Sequence, residues 1–102
     1  MDFSYSVSSL DNENVLTMKG RLDTLAAGSL DQDVQDALSS ASKKLILAIN
    51  DLVYISSSGL RCFVWLLKNC KKNGVQLSIV GMCPTIREVF DLTGLDQMFN
   101  IQ

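Results

Sequence analysis

The sequence predicts an α/β fold: a mixed β-sheet of four to five strands with α-helical crossovers packed on it. Three observations predict it. Near the start, serines alternate with Phe3, Tyr5 and Val7, the period-2 signature of a half-buried strand. The unbroken apolar run from Leu45 to Ile49 has the character of a central strand covered on both faces. Segments of helical period separate these strands from later ones in the order ββαβαβα(β), which calls for helical crossovers on one sheet.

Each element has its own justification. "FSYSVS" (Phe3 to Ser8) is the first strand, "DNEN" (Asp11 to Asn14) is turn chemistry, and "VLTMKG" (Val15 to Gly20) resumes alternation to complete a hairpin. From Leu25 to Ala41 the period changes. Ala27, Leu30, Val34, Ala37, Leu38 and Ala41 share one helical face, and Asp31, Asp33 and Asp36 fall outside it as a solvated acidic face. Two starts suit this helix: Thr24 as a cap, or Ser29 with Gln32 three residues on in capping-box spacing. After Leu45 to Ile49, "NDLVYI" leads into Ser56, Ser57 and Ser58, and a second helix runs to about Asn73, where Gly74 can end it. "VQLSIVG" alternates as a strand. Pro84 suits the first turn of a third helix, with Ile86, Val89 and Phe90 inward and Gly94 just past its end. "MFNIQ" is a candidate last short strand.

Composition narrows the function classes. At 102 residues the chain is expected to be one domain, residues 1–102, with no linker or repeat inside it. Hydrophobic residues make up 47% against 20% charged, which excludes a disordered chain. A net charge of −2 offers no basic field for nucleic acid. No apolar stretch approaches the ~20 residues of a membrane span, and the N-terminus lacks the pattern of a signal peptide, so a cytoplasmic location without membrane insertion is expected. In that compartment Cys62, Cys70 and Cys83, each in an apolar context, read as reduced core cysteines. Histidine is absent. With no imidazole and no C-x-x-C spacing, no metal or cofactor site is expected, and a catalytic role is disfavoured.

The stretch "YISSSGLR" (Tyr54 to Arg61) carries the strongest functional signal. A strand-to-helix turn is where free N–H groups and the helix dipole favour an anion. A nucleophile elbow, G-x-S-x-G, fits Ser57 with Gly59, but Ile55 stands in place of the first glycine and no histidine can take the proton. Capping accounts for the run more simply, with Ser56 or Ser57 accepting from the first turn for about 1 kcal/mol. Capping leaves Gly59 unexplained, because glycine inside a helix costs about 1 kcal/mol relative to alanine. A glycine there leaves the helix start open to the close approach of another molecule.

Together with "MKGRLDTLAAGSL" upstream and "KKNGVQLSIVG…IREVFDLTGLDQMFNI" downstream, this stretch resembles a STAS domain. Within that group the chain is similar to the free-standing anti-sigma factor antagonists, the anti-anti-sigma factors. The resemblance implies a STAS-like sheet and a partner-switching activity. A GHKL-type anti-sigma factor serine kinase would bind the unmodified chain and phosphorylate one serine of the turn. A PPM-type serine phosphatase would reset it. By position in the motif, the phosphoacceptor is Ser57. Ser56 takes the place often held by aspartate, Ser58 that of a second serine or alanine, and Asp23 matches an acidic residue near the acceptor. The competing reading is a STAS adaptor held permanently in a signalling or transporter-associated assembly and never phosphorylated.

A second surface lies on the same helix. At 100° per residue, Leu60, Phe63, Val64 and Leu67 form the expected buried stripe with Cys70 near its edge, and Arg61, Trp65, Lys68 and Lys72 lie opposite. Trp65 is read either as a partner anchor beside the serine turn or as a ring packed beneath the stems of Arg61 and Lys68 or under the C-terminal segment. Asp23 and Thr24, where strand meets helix, are read as partner-binding residues or as caps. Weak self-association is expected if part of the sheet face lies uncovered.

Overall fold

The computed structural model describes residues 2–10, 13–37 and 43–102, with side chains described for all of these except Leu10 and residues 31–37. The hairpin is as expected: β1 (Ser4–Leu10) runs antiparallel to β2 (Glu13–Leu22), with Ser4 opposite Lys19. Then follow α1 (Thr24–Ala37), β3 (Lys44–Ile55), α2 (Ser57–Lys72), β4 (Gln76–Val80), α3 (Pro84–Thr93), a 3-10 turn (Leu95–Gln97) and β5 (Asn100–Ile101). The strands lie in the order β1-β2-β3-β4-β5, and every pairing after the first is parallel.

Several expectations shift at their edges. Glu13 and Asn14, expected in the turn, already belong to β2; Asp11 and Asn12 lie outside the described residues. Asn14 is buried and accepts a hydrogen bond from the Ser9 hydroxyl at 2.6 Å, so a polar residue enters the strand because it has a partner. The expected extension of α1 through Leu38 to Ala41 lies outside the described residues, as do the side chains of Asp31, Asp33, Val34, Asp36 and Ala37. Strand β3 absorbs all of "NDLVYI", with register irregularities against β2 between Thr17 and Lys19 and between Gly20 and Arg21.

The connection rule then decides where the helices go. Parallel crossovers are right-handed, so three that step across the sheet in one direction bring their helices to one face. Leu16, Met18 and Leu22, then Leu45, Leu47 and Ile49, then Leu77 and Ile79, are buried toward that face. Phe63 of α2, Phe90 of α3 and Phe99 pack behind them, tilted and edge-on, with ring centroids 6.2 Å and 5.7 Å apart. The opposite face carries no described helix. Val15, Ile46, Ala48 and Val80 alternate with the core positions and are only half-buried. The expected two-sided cover of Leu45 to Ile49 is therefore corrected: β3 is central, yet among the described residues no helix covers one of its faces.

The phase of α2 is a second correction. Its buried stripe is Gly59, Cys62, Phe63, Leu66, Leu67 and Cys70, whereas Leu60 and Val64 are half-buried. These six positions follow the i, i+3, i+4 rule without a break. A count of apolar side chains misses the first of them, because Gly59 has none. Cys62 and Cys70 are buried and Cys83 half-buried, all as free thiols. Burial pushes the Cys70 thiol up, which keeps it protonated and unreactive at neutral pH.

Candidate functional site

The site is built where β2 and β3 end. Leu22 pairs with Ile55, and the Ser56 N–H donates to the Leu22 carbonyl at 2.9 Å. The next residue on each strand caps a helix. Asp23 accepts from the Ala26 N–H through Oδ1 at 2.9 Å, and Ser56 accepts from the Gly59 N–H through Oγ at 3.1 Å. Thr24 and Ser29 as starts of α1 are thus corrected, and of the capping readings at this junction the one for Asp23 holds: Asp23 is the cap and Thr24 is the first helical residue, because the strand ends one residue earlier than a Thr24 cap requires. Each cap satisfies an otherwise orphaned N–H and contributes about 1 kcal/mol.

Two parallel helices therefore begin side by side, and their dipoles present partial positive charge to the same patch of surface. Ser57 occupies the first helical position of α2. It is exposed, and among the described residues its hydroxyl has no partner. Ser58 is half-buried and turns toward a groove between α1 and α2, together with Thr24, Arg61 and Trp65. Asp23 is exposed on the neighbouring cap. The structure thus gathers Asp23, Thr24, Ser56, Ser57, Ser58 and Gly59 around one turn. Arg61 and Trp65 extend the same surface one and two turns along α2.

Gly59 has a different reason from the one its position suggested. It is buried, and a Cβ there would stand 2.8 Å from Ile55 Cγ1 and 3.0 Å from Leu22 Cγ. The glycine lets α2 press onto the paired ends of β2 and β3, rather than leaving space for another molecule. Gly59→Val is accordingly expected to cost about 1–3 kcal/mol through overpacking, against a helix-propensity gain of only a few tenths of a kcal/mol. Chemical denaturation measures it; an unchanged midpoint would mean that Leu22 and Ile55 yield freely.

Trp65 falls between its two readings. It is half-buried against the core cluster while still lining the groove. Sequence reasoning missed one neighbour of the site. The Arg21 guanidinium lies 4.1 Å from the centre of the Tyr54 ring, and the two residues are paired across β2 and β3 just before the serine turn. The signal available was an arginine and a tyrosine each one residue before the last on its strand, but their register becomes visible only once the strands are paired. Leu25, 85% exposed in the first turn of α1, was likewise not singled out.

Among the described residues, no helix is long and apolar enough to cross a membrane and no cluster of His, Cys, Asp or Glu is suited to a metal ion. The sequence profile of the STAS domain matches residues 6–102. The chain belongs to the STAS domain family. It is 27% identical over 101 residues to the anti-sigma-B factor antagonist of Bacillus subtilis, covering 99% of this chain and 92% of that protein. In fold, this STAS domain is similar to an anti-sigma factor antagonist from Mycobacterium paratuberculosis. The TM-score is 0.87 at 22% identity, over 98% of this chain and 85% of that one. It also resembles the Bacillus cell fate determinant SpoIIAA in its phosphorylated form, with a TM-score of 0.75 at 19% identity over 97% and 91% of the two chains. The mixed sheet and its three helices are thus those of a STAS domain.

Proposed function

We propose that this STAS domain is an anti-sigma factor antagonist that acts as a phosphorylation-controlled binding protein and catalyses no reaction. In this reading it works in the cytoplasm and binds a GHKL-type anti-sigma serine kinase through the surface around the serine turn. The kinase phosphorylates Ser57, the complex separates, and a PPM-type serine phosphatase restores the binding form. The supporting observation is the division of labour at the turn: Ser56 carries the cap, and Ser57 stands exposed beside it with its hydroxyl unengaged. Modification of Ser57 therefore removes no hydrogen bond on which α2 depends.

Physical chemistry supports the same choice. A phosphoserine carries about −1.5 to −2 charge at neutral pH. At an exposed helix N-terminus that charge is favourable by about 0.3–1 kcal/mol, so the modified domain stays folded. The effect falls on the partner, whose surface meets a dianion beside the Asp23 carboxylate. Ser58 and Gly59 shape the turn, the latter through its contact with Leu22 and Ile55, and Thr24, Arg61 and Trp65 extend the binding surface. That a Bacillus protein of this fold has been solved in a phosphorylated form adds to the support.

Intact-mass analysis of the protein isolated from its host with phosphatase inhibitors, beside a Ser57→Ala variant, tests the assignment. A phosphate-sized shift is expected in the parent and absent from the variant; a shift that survives in the variant moves the acceptor to another residue. The second reading, a permanent STAS adaptor, is favoured by the sheet face at Val15, Ile46, Ala48 and Val80, which no described helix covers and which suits a lasting contact or weak self-association. No phosphate under any growth condition would put that reading first.

A further inference from the structure

The outward side of α2 forms the floor of a groove of about 700 Å³, walled by α1 on one side and by the segment following α3 on the other. Arg61, Trp65 and Lys68 line the floor, and Leu95 stands on the far wall. The described lining includes no carboxylate, and neither Arg61 nor Lys68 has an ion-pair partner among the described residues. In a chain of net charge −2, a cationic pair around an aromatic ring with no carboxylate among the described lining residues is a local reversal of sign there.

A second observation is independent of charge. Gly28 lies inside α1 and lines the near wall. Glycine there costs helix stability relative to alanine, and among the described residues nothing requires it: a Cβ built at Gly28 meets no described atom within 4 Å. It has no left-handed conformation, and unlike Gly59 it presses against no described neighbour. Its effect on the structure is to keep the groove wall low where another backbone or side chain could lie.

We propose that this groove docks an acidic amphipathic helix of a protein partner. Carboxylates would meet Arg61 and Lys68, and an apolar residue between them would rest on Trp65. Spacing supports a helix as the occupant. Arg61 and Lys68 are seven residues apart on α2, about 10 Å at 1.5 Å per residue, which matches carboxylates at i and i+7 of a helix laid along it. Trp65 is four residues from one and three from the other, opposite apolar residues at i+3 and i+4. The inference rests on reading this chain as a binding protein, but it requires neither a kinase nor modification of Ser57.

The test uses the unmodified protein and a 16-residue designed peptide with Glu at i and i+7 and Leu at i+3 and i+4. A second peptide carries Lys in place of Glu. Trp65 is the single tryptophan of the chain, so its fluorescence reports occupancy directly. The acidic peptide is expected to shift Trp65 emission saturably and to bind at least tenfold more tightly than the Lys peptide. Arg61→Glu with Lys68→Glu is expected to reverse that preference. Gly28→Leu is expected to abolish binding while the melting temperature holds or rises. Equal binding of the two peptides, no change in Trp65 emission, or full affinity in Gly28→Leu would overturn the proposal. Displacement of the acidic peptide by anionic phospholipid vesicles would assign the groove to a membrane surface and overturn it as well. A phosphate found on Ser57 without peptide discrimination leaves the switch standing and the groove rejected; the reverse pair of results separates them the other way.

Discussion

If the proposed partner switch operates, a Ser57→Asp variant is expected to bind the proposed serine kinase at least about 100-fold more weakly than the parent, with no loss of melting temperature. The two halves of this result have one cause. Ser57 sits exposed at the first position of α2, where a negative charge interacts favourably with the helix dipole. The capping bond from the Gly59 N–H belongs to Ser56 and survives the change. In the proposed complex the same charge would face a surface formed around a neutral hydroxyl, and like-charge juxtaposition at an interface costs several kcal/mol. About 3 kcal/mol is roughly 100-fold in affinity. Isothermal titration of parent, Ser57→Asp and Ser57→Ala measures it, with Ser57→Ala expected to bind as the parent does. Should Ser57→Asp bind its partner as tightly as the parent, the permanent-adaptor reading replaces the switch.

Phe63→Ala is expected to have the largest effect on stability. Its ring is fully buried and packs tilted against Phe90 at 6.2 Å between centroids, and Phe90 in turn meets Phe99 edge-on at 5.7 Å. This aromatic row joins α2, α3 and the approach to β5 over the sheet. Removing a buried phenylalanine ring typically costs about 3–5 kcal/mol, from lost transfer energy and from the cavity left behind. Domains of this size hold only about 5–15 kcal/mol in total. At roughly 4–8 °C for each kcal/mol, the melting temperature is expected to fall by at least about 12 °C. Leu92→Ala is the control: that leucine is 80% exposed, and its loss is expected to stay within about 0.5 kcal/mol. Urea denaturation of both variants decides it. A Phe63→Ala midpoint close to that of the parent would mean that the surrounding side chains collapse into the space.

What was legible in the sequence was whatever depends on local period and local chemistry. Alternation placed β1, β2 and β4, and Pro84 and Gly94 bracket α3, with Gly94 in the left-handed conformation (φ 77°) that ends it. The serine run announced a strand-to-helix turn, and Ser56 caps it. The misreadings share one physical origin. Gly59 contributes no hydrophobicity, so periodicity alone turned α2 toward Leu60 and Val64. Contact with Leu22 and Ile55 turns it instead toward Cys62 and Leu66. For Asp23 the sequence leaves recognition and capping both open. The end of β2 makes it the cap of α1, because the strand stops where its pairing with Ile55 stops.

By itself the sequence determined the class of fold, the order of its elements and the turn on which function is expected, since each follows from neighbours a few residues apart. Only the tertiary structure decided the rest. The one-directional succession of parallel crossovers put the helices on one side and left Val15, Ile46, Ala48 and Val80 without a described helix over them. The pairing of β2 with β3 set Asp23 beside Ser56 and Arg21 over Tyr54. The packing of α1 beside α2 opened the groove between Gly28 and Trp65. These are relations between segments 30 or more residues apart, and a side chain's partners at that distance are chosen by backbone pairing and close packing, not by the residues beside it in the chain.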